Sequence, residues 1–239
     1  RVLGFDFIAH EAGQAAPSTK DQAAVLCAAL DLIGVDQVHA IIGASYGGMV
    51  ALSFAQHFPD RVGRIAVISA GASAPPPPTA LREPQGPAAG LGTAQGAEAE
   101  ALSIARGMAM LSYRTSEEFG QRFTGGLPGE EPLGRTEPGD YLRARGEAFQ
   151  SVMSPGRFLS LSASIDRHHV DPEAIKTPCL LIGAESDQLV PPTQMEALAA
   201  ALAGPAALRI LPSLFGHDMF LKDAAHVASL VRPFLESGQ

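Results

Sequence analysis

The chain has 239 residues, of which 46% are hydrophobic and 18% charged, so it can bury a full core as a single catalytic domain that carries an insertion. Its formal net charge of −8 argues against nucleic acid or an anionic membrane as partner, because an acidic surface repels both. No secretory leader pattern and no apolar run of about 18 residues is present, which predicts a cytoplasmic protein. Cys27 and Cys179 fall in helix and strand patterns without metal or redox spacing, as is typical of buried thiols in a reducing compartment.

The predicted elements begin with a strand over residues 1–7 and a helix that opens at Ser18, where Asp21 completes a capping box. Strands are predicted at residues 38–43, 64–69, 179–183 and 207–211, and those at 64–69 and 179–183 are expected to be buried. Four consecutive prolines at 75–78 are expected to exclude regular structure, and residues 82–100, rich in Gly, Ala, Pro and Gln, are expected to be mobile. Helices are then predicted over residues 101–111, 116–123, 140–149 and 155–165.

A Gly-x-Ser-x-Gly motif at residues 43–47 stands between a predicted strand and an apolar helix pattern. A serine hydroxyl is a poor nucleophile, so enzymes hold it on a sharp strand-to-helix turn where a base and an oxyanion-binding N–H can reach the reaction. Gly43 and Gly47 are expected to supply the clearance that such a turn needs. The pattern predicts Ser45 as nucleophile and the Tyr46 N–H as oxyanion donor, and a purely structural turn is the alternative.

Two further candidates lie on loops that follow late strands, Asp187 and His217. Catalytic groups of open α/β sheets lie at the carboxyl ends of strands, and the chain order Ser, Asp, His is that of the α/β-hydrolase architecture. The alternatives are a helix-capping or loop role for Asp187, with Glu185 as the orienting acid, and a capping or core role for His217.

Three segments resemble the homoserine O-acyltransferases: Gly-Ala-Ser-Tyr-Gly-Gly-Met at 43–49, the stretch at 105–119, and Leu-Phe-Gly-His-Asp-Met-Phe-Leu-Lys at 214–222. The resemblance covers most of the chain. It implies an α/β-hydrolase fold with a mostly parallel sheet, a core at residues 1–72 and 177–239, and a helical cap at 73–176. Family members carry further N-terminal strands and a second oxyanion loop before the first residue of this chain, so we expect a fragment in which only the Tyr46 donor can be assigned.

The resemblance also implies a function: transfer of an acetyl or succinyl group from acyl-CoA to the hydroxyl of homoserine, or of serine, by a ping-pong mechanism in methionine biosynthesis. Acyl-CoA would be a co-substrate, with no bound cofactor or metal. The expected partners are these small molecules and no nucleic acid or membrane, with the cap helices as the surface for a homodimer. The segment that corresponds to residues 73–85 is a continuous helix in the family, whereas prolines interrupt it in this chain. The acyl-donor pocket is therefore expected to differ from that of the family.

In that family an Arg and a Tyr seven residues apart, and the Asp after the catalytic His, bind the amino acid. The matching residues are Arg106, Tyr113 and Asp218. Seven residues is close to two helical turns, so the first two share a face, where a guanidinium can fork a carboxylate while Asp218 meets an ammonium group. The alternatives are a solvated Arg106 and a core Tyr113. For the whole chain, the alternatives are a carboxylic-ester hydrolase with the same triad and an inactive binding domain on this scaffold.

Overall fold

A computed structural model describes residues 1–9, 15–74, 76–85, 96–123 and 135–236. Its sheet has four parallel strands in the order β1-β2-β3-β4. The strands are Ile41–Ala44 (β1), Ile65–Ile68 (β2), Cys179–Ala184 (β3) and Ala206–Leu211 (β4). Because the strands are parallel, all four carboxyl ends lie at one edge, where α/β proteins place their ligands.

Helices surround this sheet and fill the long connection between β2 and β3. In chain order they are Thr19–Leu32 (α1), Tyr46–His57 (α2), Pro76–Arg82 (α3), Glu98–Tyr113 (α4), Ser116–Arg122 (α5), Glu137–Gln150 (α6), Pro155–Asp166 (α7), Pro192–Ala201 (α8), Met219–Lys222 (α9) and Ala224–Glu236 (α10). The parallel sheet with flanking helices confirms the predicted fold class. In the part of the chain that is described, no helix combines the length and apolarity needed to cross a membrane.

The central strand β2 is buried on both faces. Ile65 and Val67 pack into the cluster that contains α1 and α2, whereas Ala66 and Ile68 pack into the cluster formed with α9 and α10. Successive side chains of a strand point to opposite faces, so a continuous apolar run is required when helices cover both. The predicted buried strand at residues 64–69 meets this requirement.

Helix α1 begins as the sequence predicts. The Asp21 N–H donates to Ser18 Oγ at 3.2 Å, and the Ser18 N–H donates to the Asp21 carboxylate at 2.8 Å. This capping box satisfies two backbone donors that have no partner inside the helix. The Ser18 hydroxyl and N–H together hold the pKa of the Asp21 carboxyl below its usual value.

The predicted strand at residues 1–7 is wrong: residues 1–9 have no regular secondary structure. Just after this segment, the Gln22 side-chain amide pairs with the backbone of Ile8. Its Oε1 accepts from the Ile8 N–H at 3.0 Å, and its Nε2 donates to the Ile8 carbonyl at 2.6 Å. An apolar extended segment becomes a strand only when another strand supplies those partners.

The expectation that four prolines exclude regular structure is also wrong, since α3 begins at Pro76. Proline lacks an N–H, but the first turn of a helix has no intrahelical acceptor for those groups, so the ring costs little there. The four predicted cap helices are present as α4 to α7, with ends shifted by up to three residues. Of the segment predicted to be mobile, residues 86–95 lie outside the described residues.

Candidate active site

Ser45 occupies the turn between β1 and α2 with φ 51° and ψ −120°. A positive φ is unfavourable for a residue with a side chain, and such strain persists only where the surroundings enforce it. The Ser45 N–H donates to the Ile68 carbonyl at 2.7 Å, which ties the turn to the end of β2. Ser45 therefore stands at the carboxyl edge of the sheet on a sharp strand-to-helix turn.

The glycines around this turn have unequal roles. A Cβ on Gly43 would lie 2.1 Å from the Gly47 carbonyl oxygen, and one on Gly48 would lie 2.7 Å from the Ala70 Cβ. Among the described residues, a Cβ on Gly47 would meet only the Phe7 ring, at 3.8 Å, which is ordinary contact. Clearance at Gly43 is as predicted, whereas the same expectation for Gly47 is wrong because its own Cβ position is open. Gly48, beyond the motif, is the second position that excludes a side chain.

His217 connects Ser45 with Asp187. Its Nε2 lies 2.7 Å from Ser45 Oγ, and its Nδ1 lies 2.8 Å from Asp187 Oδ2. The other carboxylate oxygen of Asp187 accepts from the N–H groups of Leu189 and Val190, each at 2.9 Å. Asp187 is thus buried and held from both sides, so the Nδ1–H donates to it and Nε2 accepts from the serine hydroxyl.

Glu185, the rival orienting acid, is exposed to solvent on the same loop. Its N–H extends the sheet by donating to the Leu211 carbonyl at 2.9 Å. The loop turns inward only two residues later, so Asp187 is the carboxylate that reaches the histidine. The structure brings together the three residues that the sequence predicts as a triad.

The backbone before His217 requires glycine. Gly216 has φ +57°, and a Cβ there would come within 2.8 Å of the Tyr113 carbonyl oxygen. Its N–H donates to Ser186 Oγ at 3.2 Å, which ties the histidine loop to the loop that carries Asp187. The short 3₁₀ turn Gly216–Asp218 then aims the imidazole at Ser45.

Tyr46 opens α2, so its N–H has no intrahelical acceptor and is available beside the serine. Its phenol serves a separate, structural purpose. The hydroxyl hydrogen-bonds Ser164 of α7 at 2.7 Å, and the ring packs edge-on against Phe7 at 4.7 Å. Burial raises the pKa of this phenol, which keeps it neutral.

A largely apolar cavity opens beside Ser45 and His217, with about 580 Å³ of empty space including its mouth. Its apolar wall includes Met49, Ile165, Leu189 and Val190. Its polar wall includes Arg82, Gln85, Ser112 and Gln194. Tyr113 also lines it, with its ring 5.8 Å from the His217 ring. The cavity places a largely apolar surface directly against the serine and histidine.

The three residues predicted to bind the amino acid do not all line the cavity. Tyr113 lines the cavity, but neither Arg106 nor Asp218 is among the described residues that do. The Arg106 guanidinium stacks over two rings, at 5.3 Å from the Tyr113 centroid and 4.8 Å from that of Phe149. Asp218 Oδ2 lies 2.8 Å from Arg114 Nε. Arg106 therefore contacts a residue that lines the cavity, Tyr113. Asp218 is the chain neighbour of another lining residue, His217.

This geometry can be compared with known proteins. The family model of the alpha/beta hydrolase fold matches residues 1–224. The chain belongs to this family. Among solved structures, esterase E22 superposes with a TM-score of 0.84 at 20% identity, covering 92% of this chain and 67% of that one. Homoserine O-acetyltransferase from Bacillus anthracis gives a TM-score of 0.83 at 17% identity, covering 92% and 65%. At such identities these likenesses show the fold alone.

Sequence identity to curated relatives is higher than to these solved structures. Homoserine O-succinyltransferase from Xanthomonas campestris is 38% identical over 99% of this chain. The resemblance predicted from the three motifs is thereby confirmed. The chain spans 64% of that relative's length.

Sequence reasoning missed one ion pair close to this site, formed by the buried side chains of Arg114 and Glu118. Arg114 Nη1 donates to Glu118 Oε1 at 3.2 Å, and the two are four residues apart at the start of α5. The four-residue spacing could have suggested an ion pair on the surface of a helix. Only the fold shows that the pair is buried and reaches Asp218.

Proposed function

We propose that this chain carries the catalytic triad of an O-acyltransferase, which moves an acetyl or succinyl group from acyl-CoA to the hydroxyl of homoserine. The observation that carries the proposal is the hydrogen-bonded sequence Ser45, His217, Asp187 beside the cavity, in a chain 38% identical to a homoserine O-succinyltransferase. Since the chain spans 64% of that relative, the activity is proposed for the whole protein.

In the first half-reaction, His217 Nε2 takes the proton of the Ser45 hydroxyl as its oxygen attacks the thioester carbonyl. Asp187 keeps the imidazole in the tautomer whose Nε2 is free to accept and stabilises the imidazolium that forms. The oxyanion is stabilised by the Tyr46 N–H at the positive end of α2. The C–S bond breaks, the thiolate of coenzyme A leaves with a proton from His217, and an ester on Ser45 remains.

In the second half-reaction, the acceptor hydroxyl gives its proton to His217 and attacks the ester carbonyl of Ser45. The serine oxygen then leaves and recovers the proton. Arg106 would bind the carboxylate of the amino acid and Asp218 its ammonium group, with Tyr113 between them at the cavity. Water competes for the same ester, so the cap must favour the amino acid over water.

The test is thiol release by the full-length protein with acetyl-CoA or succinyl-CoA, each with homoserine, serine or no acceptor. The proposal expects rapid release that depends on homoserine, and a stoichiometric burst alone when acceptor is absent. The donor comparison is informative because Arg82 lies on the cavity wall, where a succinyl carboxylate would have to share this cation with Asp166.

The matched control is Ser45→Ala, which leaves the cavity intact and removes the nucleophile. Both the burst and turnover should then disappear. Equal rates of thiol release with and without any amino acid would contradict acyl transfer and would support an ester or thioester hydrolase.

A further inference from the structure

Next to the triad, two buried carboxylates share one buried arginine. Arg114 lies 2.8 Å from Asp218 through Nε and 3.2 Å from Glu118 through Nη1. The exposed fractions of the three residues are 7% for Arg114, 7% for Asp218 and 6% for Glu118. We refer to these residues as the charged trio.

The charged trio carries one more negative than positive charge. Arg122 lies 3.5 Å from Glu118 but is 38% exposed, so solvent screens much of its effect. Glu118 Oε2 is buried without a hydrogen-bond partner among the described residues, and so is Arg114 Nε, whose 2.8 Å contact with Asp218 is an ion pair that lacks hydrogen-bond geometry. A buried carboxylate in excess over its cations is costly, so a further cation beside the trio would be favourable.

The charged trio also lies where the cap meets the histidine loop. Asp218 directly follows His217, and Arg114 directly follows Tyr113, whose ring faces that histidine. In the same stretch the Thr115 hydroxyl donates to the Leu214 carbonyl at 2.6 Å. Any ligand held by Asp218 is therefore adjacent to the imidazole that handles the reacting proton.

We propose that Arg114 is a positioning residue for the acceptor: braced by Glu118, its guanidinium holds the Asp218 carboxylate in the place where it receives the acceptor's ammonium group. This inference rests on the proposed function, because it concerns the same amino acid. It adds a residue pair, Arg114 and Glu118, that acts through Asp218 and does not touch the reacting atoms.

The acylation step should be nearly independent of Arg114. His217 is fixed by Asp187 at 2.8 Å, and the loop before it is fixed by Ser186 through the Gly216 N–H. Loss of Arg114 leaves these contacts in place. Its effect should therefore fall on selection of the acceptor.

The experiment compares two acceptors, homoserine and 4-hydroxybutanoate, which lacks only the amino group. For the full-length protein, Arg114→Met should lower the ratio of kcat/KM for homoserine over 4-hydroxybutanoate by about tenfold or more, as expected when a charged contact is lost. The thiol burst in the absence of acceptor should remain within about twofold, since it reports only acylation. Arg114→Lys, which keeps the charge, should restore part of the ratio.

The matched control is Arg122→Met, which removes the other arginine beside Glu118 without touching Asp218. It should leave the acceptor ratio unchanged. If Arg114→Met does not fold, the double variant Arg114→Met/Glu118→Met takes its place, because it also removes the carboxylate that would be left unpaired. The same fall in ratio is expected.

An unchanged ratio, or an equal loss of activity with both acceptors, would overturn the role of Arg114 while leaving acyl transfer to homoserine intact. If the unmodified protein transfers no acyl group to homoserine under conditions where it releases thiol, the proposed function fails, and this inference fails with it.

Discussion

The two sides of His217 are built differently. On the core side, Asp187 is fixed by backbone N–H groups from its own loop, within three residues of itself. On the cap side, Asp218 depends on Arg114, and Tyr113 contacts the histidine ring from a separate helix. The core side therefore follows from local backbone geometry, whereas the cap side depends on long side chains meeting across the fold. Substitutions in the cap should therefore have little effect on acylation of Ser45. They should have a large effect on the choice of acceptor.

The largest effect is expected on the core side from Asp187→Asn. The amide would favour the imidazole tautomer with the proton on Nε2, which cannot accept from Ser45. Turnover should fall by roughly 10⁴-fold, measured as thiol release at saturating substrate. Glu185→Gln is the matched control on the same loop, and should change turnover by less than about threefold because Glu185 faces solvent. The opposite ranking would show that the wrong acid has been assigned.

The next largest effect concerns stability at the serine turn. Gly43→Ala forces a Cβ to within 2.1 Å of a backbone oxygen, so the free energy of unfolding should fall by about 3 kcal/mol or more. Gly47→Ala, four residues later, should be neutral or gain up to about 1 kcal/mol because alanine favours the helix. Urea unfolding of both variants measures the difference. Similar losses in the two would contradict the unequal roles of these glycines.

On the cap side, Arg106→Leu should separate the two half-reactions. Acylation of Ser45 should survive, while transfer to homoserine should lose about 2 kcal/mol of transition-state stabilisation, or roughly thirtyfold in kcat/KM. Arg145→Leu is a suitable control, since Arg145 also stacks over a cap tyrosine, Tyr141, at 5.3 Å. Normal transfer by the Arg106 variant would place the carboxylate site elsewhere.

The smallest effect tests the junction of cap and core at His168, which is 2% exposed. Its Nε2 donates to the Gly71 carbonyl at 3.1 Å, and its Nδ1 accepts from the Thr19 hydroxyl at 2.8 Å. Burial, with a smaller effect of the neighbouring His169, lowers the pKa of His168 to about 4. The native state holds His168 in its neutral form. The contribution of this histidine to the free energy of unfolding is therefore complete above pH 6.5 and is lost as the pH falls from there towards 4.

Between pH 7.5 and 5.0 this linkage should remove about 2 kcal/mol from the free energy of unfolding, measured by urea titration. His168→Gln should be less stable at neutral pH but should lose about 2 kcal/mol less over the same interval. His169→Gln, on the exposed neighbour, should keep the pH dependence of the unmodified chain. A steep pH dependence in the His168 variant would mean that another group is responsible.

Local patterns predicted the core side well for physical reasons. The motif around Ser45 dictates its own turn, and the strand before Asp187 is a continuous apolar run that only a covered parallel sheet accommodates. Their convergence then follows from parallel strands, whose carboxyl ends share one edge. That three residues so far apart in sequence meet is thus a consequence of topology.

In two places where prediction from sequence was wrong or incomplete, the structure depends on a side chain that local pattern does not reveal. Residues 1–7 have a strand-like pattern, but the Gln22 amide satisfies the backbone of Ile8. Arg114 is a cation four residues before a glutamate, a pattern usually found on surfaces, and its burial against Asp218 is visible only in three dimensions. Side-chain pairing across distant segments has no short-range signature.

The contact between Gly216 and the Tyr113 carbonyl has a practical consequence for engineering. A cap transplanted from another hydrolase would have to present a main-chain oxygen at the same place, over a residue with φ +57° and no Cβ. A graft that moves this helix end towards Gly216 would push against the backbone directly before the imidazole. Cap exchange in this scaffold should therefore succeed only when the donor segment includes the helix terminus at residue 113 together with its matching histidine loop.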